Sequence, residues 1–321
     1  VPVMVKDFGE KGRGLVASKD FKIGDLIMKD KAVVGSTAEI SMDIRKLKRF
    51  GDEIIQQLEK LNQETGKSYF DLTVNNITQN RTELELLELH ELLEKPSFSS
   101  FSMKAVSVFL NNRIGDRIYL KLSRINHSCD PNAGWQNIDE SFDEEELRAV
   151  RDIKAGDEIL CSYLSNFDNL TESKEGRHKK LQGWGFVCKC VKCEKPEDES
   201  LKGLKREIQS LLKPQSPHNL AGWKSYARSQ ERLVDAILTM IKTPSTAFYF
   251  EFQTLASLGH LSRSPNLVDK GMRLYKESIE QEKFSFQKKK YENQERKLKE
   301  WRHNLQSRKT PDLFEITSFL K

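Results

Sequence analysis

The sequence predicts an α+β protein. An irregular β-rich domain carries an α-helical insertion, is closed by a cysteine-rich segment, and is followed by an all-α C-terminal domain. Three observations carry this expectation. Short apolar and alternating runs bounded by Gly and Pro cluster in residues 1–35 and 113–163, the pattern of strands and tight turns. Between them, residues 36–112 change to leucine-rich helical spacing. Beyond residue 200 the chain reads as helices punctuated by Pro214, Pro217, Pro244, Pro265 and Pro311.

A chain of 321 residues, 31% charged and 37% hydrophobic, has room for two domains and the balance of a soluble globular protein. No apolar run reaches the length of about 18 residues that a membrane span needs. The opening Val1-Pro2-Val3-Met4-Val5 lacks the basic flank and apolar core of a secretory signal. A net charge of +5 permits acidic partners without arguing for nucleic acid. The cysteines are five, an odd number: Cys129, Cys161, Cys188, Cys190 and Cys193. That count, with no export signal, favours reduced thiols in the nucleus or cytoplasm over a disulfide framework. Cys188, Cys190 and Cys193 form Cys-x-Cys-x-x-Cys, a zinc site one ligand short.

Residues 15–17 and 25–28 are the first strands, separated by a turn at 21–25. Ahead of them lies Lys11-Gly12-Arg13-Gly14, whose glycines let the backbone approach a ligand and whose cations suit a carboxylate. Taken alone, a Gly-x-Gly is more often a plain hairpin turn. In the insertion, residues 44–61 have helical spacing interrupted near Gly51, residues 82–93 form a helix capped by Thr82, and 103–110 form another. Their leucines read as core.

Residues 117–122 alternate like a half-buried strand. The following Asn126-His127-Ser128-Cys129-Asp130-Pro131-Asn132 packs amide, imidazole, hydroxyl and thiol together and makes poor strand or helix. The acidic run 142–146 reads as a solvated hairpin tip. Residues 154–157 are a turn, and 158–163 a strand with Ile159, Cys161 and Tyr163 on one face, which makes Cys161 a small buried residue. Thr171 opens a helix reaching Leu181. The expected parts are therefore 1–35, an insertion at 36–112, 113–170, a cysteine segment at 171–196, and a helical domain at 197–321. In the last, helices are expected at 201–212, 222–241, 245–261 and 266–279, with a basic run at 284–308.

Taken in order, Gly12-Arg13-Gly14, the Asn126–Asn132 run, Gly156-Asp157-Glu158-Ile159 ending in Tyr163, and the terminal Cys188-x-Cys190-x-x-Cys193 resemble a SET-domain protein-lysine methyltransferase. The branch resembled is that of the SET-and-MYND enzymes. The motifs cover about residues 8–195, and the helical tail is similar to that branch's TPR-like domain in character only. Residues 36–112 contain no cysteine, so the MYND zinc module is absent. Trp184 stands where many of these enzymes have a channel Tyr, a form that resembles fungal members without MYND.

The resemblance implies S-adenosylmethionine as methyl donor and a structural zinc. Cys129 joins Cys188, Cys190 and Cys193 as the zinc ligands of the post-SET segment. Lys11, Gly12, Arg13, Gly14, Asn112, Asn126, His127, Tyr163 and Phe186 are the implied cofactor contacts, with Phe186 stacking on adenine. Tyr163 is the implied catalytic residue, and Tyr163 with Trp184 lines the lysine channel. His127 matches a position used for architecture and cofactor binding, not as a general base. The implied partner is a lysine-containing protein, histone or non-histone. A monomer is expected, without membrane or direct nucleic-acid binding. The competing readings are a catalytically idle scaffold that binds a protein through its helical domain, and a nucleic-acid binder using the 284–308 run.

Overall fold

The structure is a computed structural model that describes residues 2–36, 44–72, 100–137, 143–212, 219–242 and 248–282, with a few isolated positions beyond them. The chain divides into two compact units, Val1–Ser165 with Ser173–Pro196, and Asn166–Glu172 with Glu197–Lys321.

The first unit begins with a hairpin. Strands β1 (Val3–Asp7) and β2 (Arg13–Ala17) pair antiparallel across a 3-10 turn at Gly9–Lys11. β3 (Leu26–Gly35) follows, then the helices of the insertion: α1 (Ile44–Leu58), α2 (Gln63–Phe70) and α3 (Ser100–Asn112). The chain returns to strands at β4 (Arg117–Tyr119), β5 (Asn126–His127), β6 (Ala133–Asn137), β7 (Glu144–Ala149) and β8 (Glu158–Cys161). Two four-stranded sheets result, ordered β1-β2-β8-β5 and β4-β3-β7-β6. Their shared core contains Leu15, Ile27, Tyr119, Ile125, Leu147 and Ile159.

The insertion has its own core. Phe50, Ile54 and Leu58 recur every fourth position along one face of α1 and pack with Tyr69, Val106 and Phe109. Phe50 meets Phe109 edge-on at 5.3 Å between centroids, and the Tyr69 hydroxyl donates to the Ala105 carbonyl at 2.8 Å. The helix runs unbroken through Gly51, because burial of this face outweighs the roughly 1 kcal/mol cost of one glycine. α2 was not expected from the pattern. Its local signal is Asn62, whose side chain accepts from Thr65 N–H at 2.8 Å and caps it. The expected helix at 82–93 lies outside the described residues.

Three further expectations change. The acidic run is not a solvated tip: Glu144–Ala149 is strand β7, with Glu145 and Glu146 only 4% and 6% exposed. Glu146 tolerates this because Arg148 lies at 2.8 Å and Lys29 at 3.1 Å. The polar run at 126–132 does supply a strand, the two-residue β5, which pairs parallel with β8. Thr171 ends one helix, α4 (Asn166–Thr171), and Ser173 caps the next, α5 (Lys174–Leu181), by accepting from Gly176 N–H. A single-turn helix α6 (Val191–Glu194) completes the first unit.

In the second unit, α4 packs with α7 (Lys202–Leu211), α8 (Leu220–Ile241), α9 (Tyr249–Leu261) and α10 (Pro265–Glu282). Phe167 meets Phe248 edge-on at 5.3 Å, which is why this short segment clusters with the helices that follow it in sequence. The core is Ile208, Val234, Ile237, Phe252, Leu255 and Tyr275. Asn219 caps α8 at Gly222 N–H, starting that helix two residues before the expected 222. Most of the basic run 284–308 lies outside the described residues. Among the described residues no helix is long and apolar enough to cross a membrane.

Candidate functional site

Sheet order brings remote segments together. β2 and β5 lie on either side of β8, so residues near 13, 126 and 158 become neighbours. Glu158 accepts from Asn126 Nδ2 at 2.8 Å and from Lys11 Nζ at 3.3 Å. Gly14 sits against this pair: a Cβ there would lie 2.6 Å from Asn126 Nδ2 and 3.0 Å from Glu158 Oε1. Gly12 has a different reason to be glycine, since its φ of 74° and ψ of −157° suit a residue without Cβ. The Gly-x-Gly is thus a hairpin turn and also one wall of this polar cluster.

Arg13 points elsewhere. Its guanidinium holds the carboxylate of Asp71 at 2.6 and 2.9 Å and also bonds the Asp71 carbonyl. Arg124 reaches the same carboxylate at 3.3 Å, so Asp71, just beyond α2, ties the insertion to β2. The two cations hold the Asp71 carboxyl below its ordinary range, the Arg13 hydrogen bond foremost. Asn112 is buried at the end of α3, where its Nδ2 donates to the Val108 carbonyl of its own helix.

The second part of the site is aromatic. Tyr163 follows β8; its N–H donates to His127 Nδ1 at 2.9 Å and its hydroxyl donates to the Ile125 carbonyl at 2.6 Å. Its ring centroid lies 5.2 Å from His127, 5.3 Å from Trp184 and 6.3 Å from Phe186. Trp184 ends a 3-10 turn, and the left-handed Gly185 (φ 75°) turns the chain into Phe186. Burial raises the Tyr163 phenol, with the nearby Cys161 and Glu158 adding to the effect, and so keeps it neutral. Burial pushes the His127 imidazole down to about 4, so this ring is neutral too.

Beneath the rings lie the thiols. The sulfurs of Cys129, Cys188, Cys190 and Cys193 all fall within 4.8 Å of one another. Cys129 Sγ is 3.6 Å from Cys193 Sγ and 4.0 Å from Cys188 Sγ. A tetrahedral zinc with bonds of about 2.3 Å requires edges of about 3.8 Å, so the four residues fit that ion. Hydrogen bonds from Cys129 and Cys188 shift the Cys190 thiol downward. Cys161 stands apart as a buried residue of the sheet core.

Three residues of the site, Glu158, Asn132 and Arg177, carry roles that their sequence context does not assign. Glu158 stands at the start of a strand and faces Asn126 and Lys11. Asn132 mimics a strand partner: its side chain accepts from Leu160 N–H and donates to the Glu158 carbonyl, both at 2.8 Å. Arg177, 2% exposed, donates to Cys193 Sγ at 3.6 Å. Burial works to lower the Arg177 pKa, but the bond and charge of Cys193, with those of Cys129, more than offset it. The available signal was position, since Arg177 and the core residue Leu181 lie four apart on one helix face.

Residues 12–164 match the family model described as SET domain. Among curated proteins, histone-lysine N-methyltransferase SET5 of Yarrowia lipolytica is 30% identical over 120 residues, 37% of this chain and 26% of that one. Histone-lysine N-methyltransferase SMYD3 of Mus musculus is 29% identical over 193 residues, 51% of this chain and 44% of that one. SMYD3 of Homo sapiens is 32% identical over 131 residues, 39% of this chain and 28% of that one. The alignments therefore span less than half of each relative's own length.

Proposed function

We propose that the chain, whose residues 12–164 match the SET-domain family model, is an S-adenosylmethionine-dependent protein-lysine N-methyltransferase. Its substrates on this reading are lysine side chains of histone or non-histone proteins. The observation that carries the reading is the ring cluster of His127, Tyr163, Trp184 and Phe186 packed on the four cysteines, with the Tyr163 hydroxyl anchored on Ile125.

S-Adenosylmethionine, when bound, supplies an electrophilic methyl group on a sulfonium. Asn126, His127, Asn112, Phe186 and the turn Lys11-Gly12-Arg13-Gly14 would hold it. Of Arg13 only the main chain serves, because Asp71 holds its guanidinium. The Tyr163 hydroxyl uses its one proton on the Ile125 carbonyl, which leaves its lone pairs to accept from polarised C–H or amine N–H groups. On this reading Tyr163 and Trp184, with ring centroids 5.3 Å apart, would wall an apolar passage that favours the uncharged lysine amine. In-line transfer then needs alignment and oriented dipoles, with no covalent bond to the protein.

Cys129, Cys188, Cys190 and Cys193 would bind zinc as a closed structural site that fastens the cysteine segment to the Asn126–His127 loop. In the second unit, α8, α9 and α10 pack each on the next, which supports a TPR-like domain available to a protein partner.

The test is transfer of labelled methyl groups from S-adenosylmethionine into proteins of a cell extract, with wild type beside Tyr163→Phe. A labelled band with wild type, weakened at least about tenfold in the variant, is expected. No band, together with no S-adenosylmethionine binding by the folded, zinc-loaded protein, would overturn the enzyme and leave an idle scaffold.

A further inference from the structure

Both ring nitrogens of His127 are engaged, and in opposite senses. A backbone N–H can only donate, so the 2.9 Å contact from Tyr163 N–H requires a lone pair on His127 Nδ1. The neutral ring then has one N–H left, on Nε2, and that nitrogen lies 3.3 Å from Cys129 Sγ. Cys129 belongs to the thiol cluster, 3.6 Å from Cys193 and 4.0 Å from Cys188. On the other side, Tyr163 is held at two points: its N–H on the imidazole and its hydroxyl on the Ile125 carbonyl, two residues before His127.

We propose that His127 is a positioning residue that transmits the assembly of the cysteine cluster to Tyr163. A metal-bound Cys129 thiolate accepts the Nε2–H, and this fixes the ring as the Nε2–H tautomer. That tautomer presents an acceptor to Tyr163 N–H and so sets the main chain that carries the phenol. The opposite tautomer would oppose two donors across the 2.9 Å contact and leave the Tyr163 amide without its acceptor. Metal binding and alignment of the tyrosine are then one event, joined through a single ring. The kinetic part of the inference rests on the methyltransferase reading; the tautomer does not.

The experiment uses the full chain loaded with ¹¹³Cd²⁺ and ¹⁵N-labelled histidine, read by NMR, with His127→Gln and His127→Asn assayed as zinc proteins. The expected spectrum has a pyridine-type Nδ1, a pyrrole-type Nε2, and a coupling from the Nε2 proton to ¹¹³Cd through the sulfur. The Gln amide reaches the Nε2 position and keeps a donor for Cys129 but loses the acceptor for Tyr163. The Asn carbonyl keeps the acceptor and loses the donor. The Gln variant is therefore expected to retain metal affinity while kcat falls about 10²-fold with a smaller change in KM for the methyl donor. The Asn variant is expected to lose about tenfold in metal affinity. A protonated Nδ1, an uncoupled Nε2 proton, or equal kcat in Gln variant and wild type would each overturn the inference. Wild type that transfers no methyl group yet gives the expected spectrum would overturn the methyltransferase reading and leave the histidine bridge standing.

Discussion

Replacing Gly14 by Ala puts a methyl group where the fold leaves no room. A Cβ at Gly14 would lie 2.6 Å from Asn126 Nδ2 and 3.0 Å from both Glu158 Oε1 and the Phe8 ring. Backbone conformation is not the obstacle, since Gly14 is outside the set of positive-φ glycines. The group that must yield is the Asn126 amide, and in yielding it breaks its 2.8 Å bond to the Glu158 carboxylate. Loss of a hydrogen bond to a charged group costs about 1.5–3 kcal/mol. Residual overpacking adds about 1 kcal/mol, because moving the amide relieves most of the clash. We expect a loss of roughly 2.5–4 kcal/mol in urea unfolding and, on the methyltransferase reading, S-adenosylmethionine binding weakened at least about tenfold in calorimetric titration because Asn126 is displaced. Gly9→Ala is the control: its φ of +66° brings strain, but nothing lies within 4 Å of its Cβ. It should cost about 1–2 kcal/mol and leave cofactor affinity unchanged. A Gly14→Ala protein that loses less than about 1 kcal/mol and binds cofactor like wild type would refute the close-packed Gly14–Asn126–Glu158 arrangement.

Other perturbations probe the same logic elsewhere. Arg177→Met removes the buried cation beside Cys193 and should weaken zinc about 10–100-fold in a chelator competition. In the second unit, burial raises the Glu251 carboxyl to about 7. The folded state there binds more protons than the unfolded chain between about pH 4.5 and 7, so Glu251 stabilises fully below that window and its contribution is lost as pH rises through it. The wild-type minus Glu251→Gln difference in unfolding free energy should accordingly shift by about 2–3 kcal/mol from pH 4.5 to 8, and a flat difference would contradict the burial. Asp71→Ala releases Arg13 and Arg124, but the carboxylate is 51% exposed, so we expect only about 1 kcal/mol in the same measurement.

Much of the fold was legible wherever the signal is local. The strands around Leu15 and Ile159 and the helices of the second unit follow from apolar period and from Pro and Asn at their ends. Local patterning failed where burial and pairing override it. Glu144–Glu146 reads as solvated because three acids in a row are usually at the surface, yet β7 lies between β3 and β6, and Arg148 and Lys29 neutralise Glu146. The two-residue β5 has no periodicity to detect and exists only because β8 offers it a partner.

The site divides the same way. By itself the sequence determined which chemical groups are present: the Asn126–Cys129 run, Tyr163, Phe186 and the spaced cysteines carry their meaning in residue type and order. Only the tertiary structure decided who meets whom. Lys11 and Glu158 are 147 positions apart, and Cys129 and Cys193 are 64 apart. Such contacts depend on sheet order and chain return, which no local spacing encodes. Arg13, grouped by its motif with the ligand-facing turn, was claimed by Asp71 from the insertion. Arg177, an ordinary member of a polar helix, became a buried partner of the thiols because its face of α5 turns inward. Residue identity sets what a side chain can do; the long-range packing of β2, β5 and β8 sets which of those capacities are brought together.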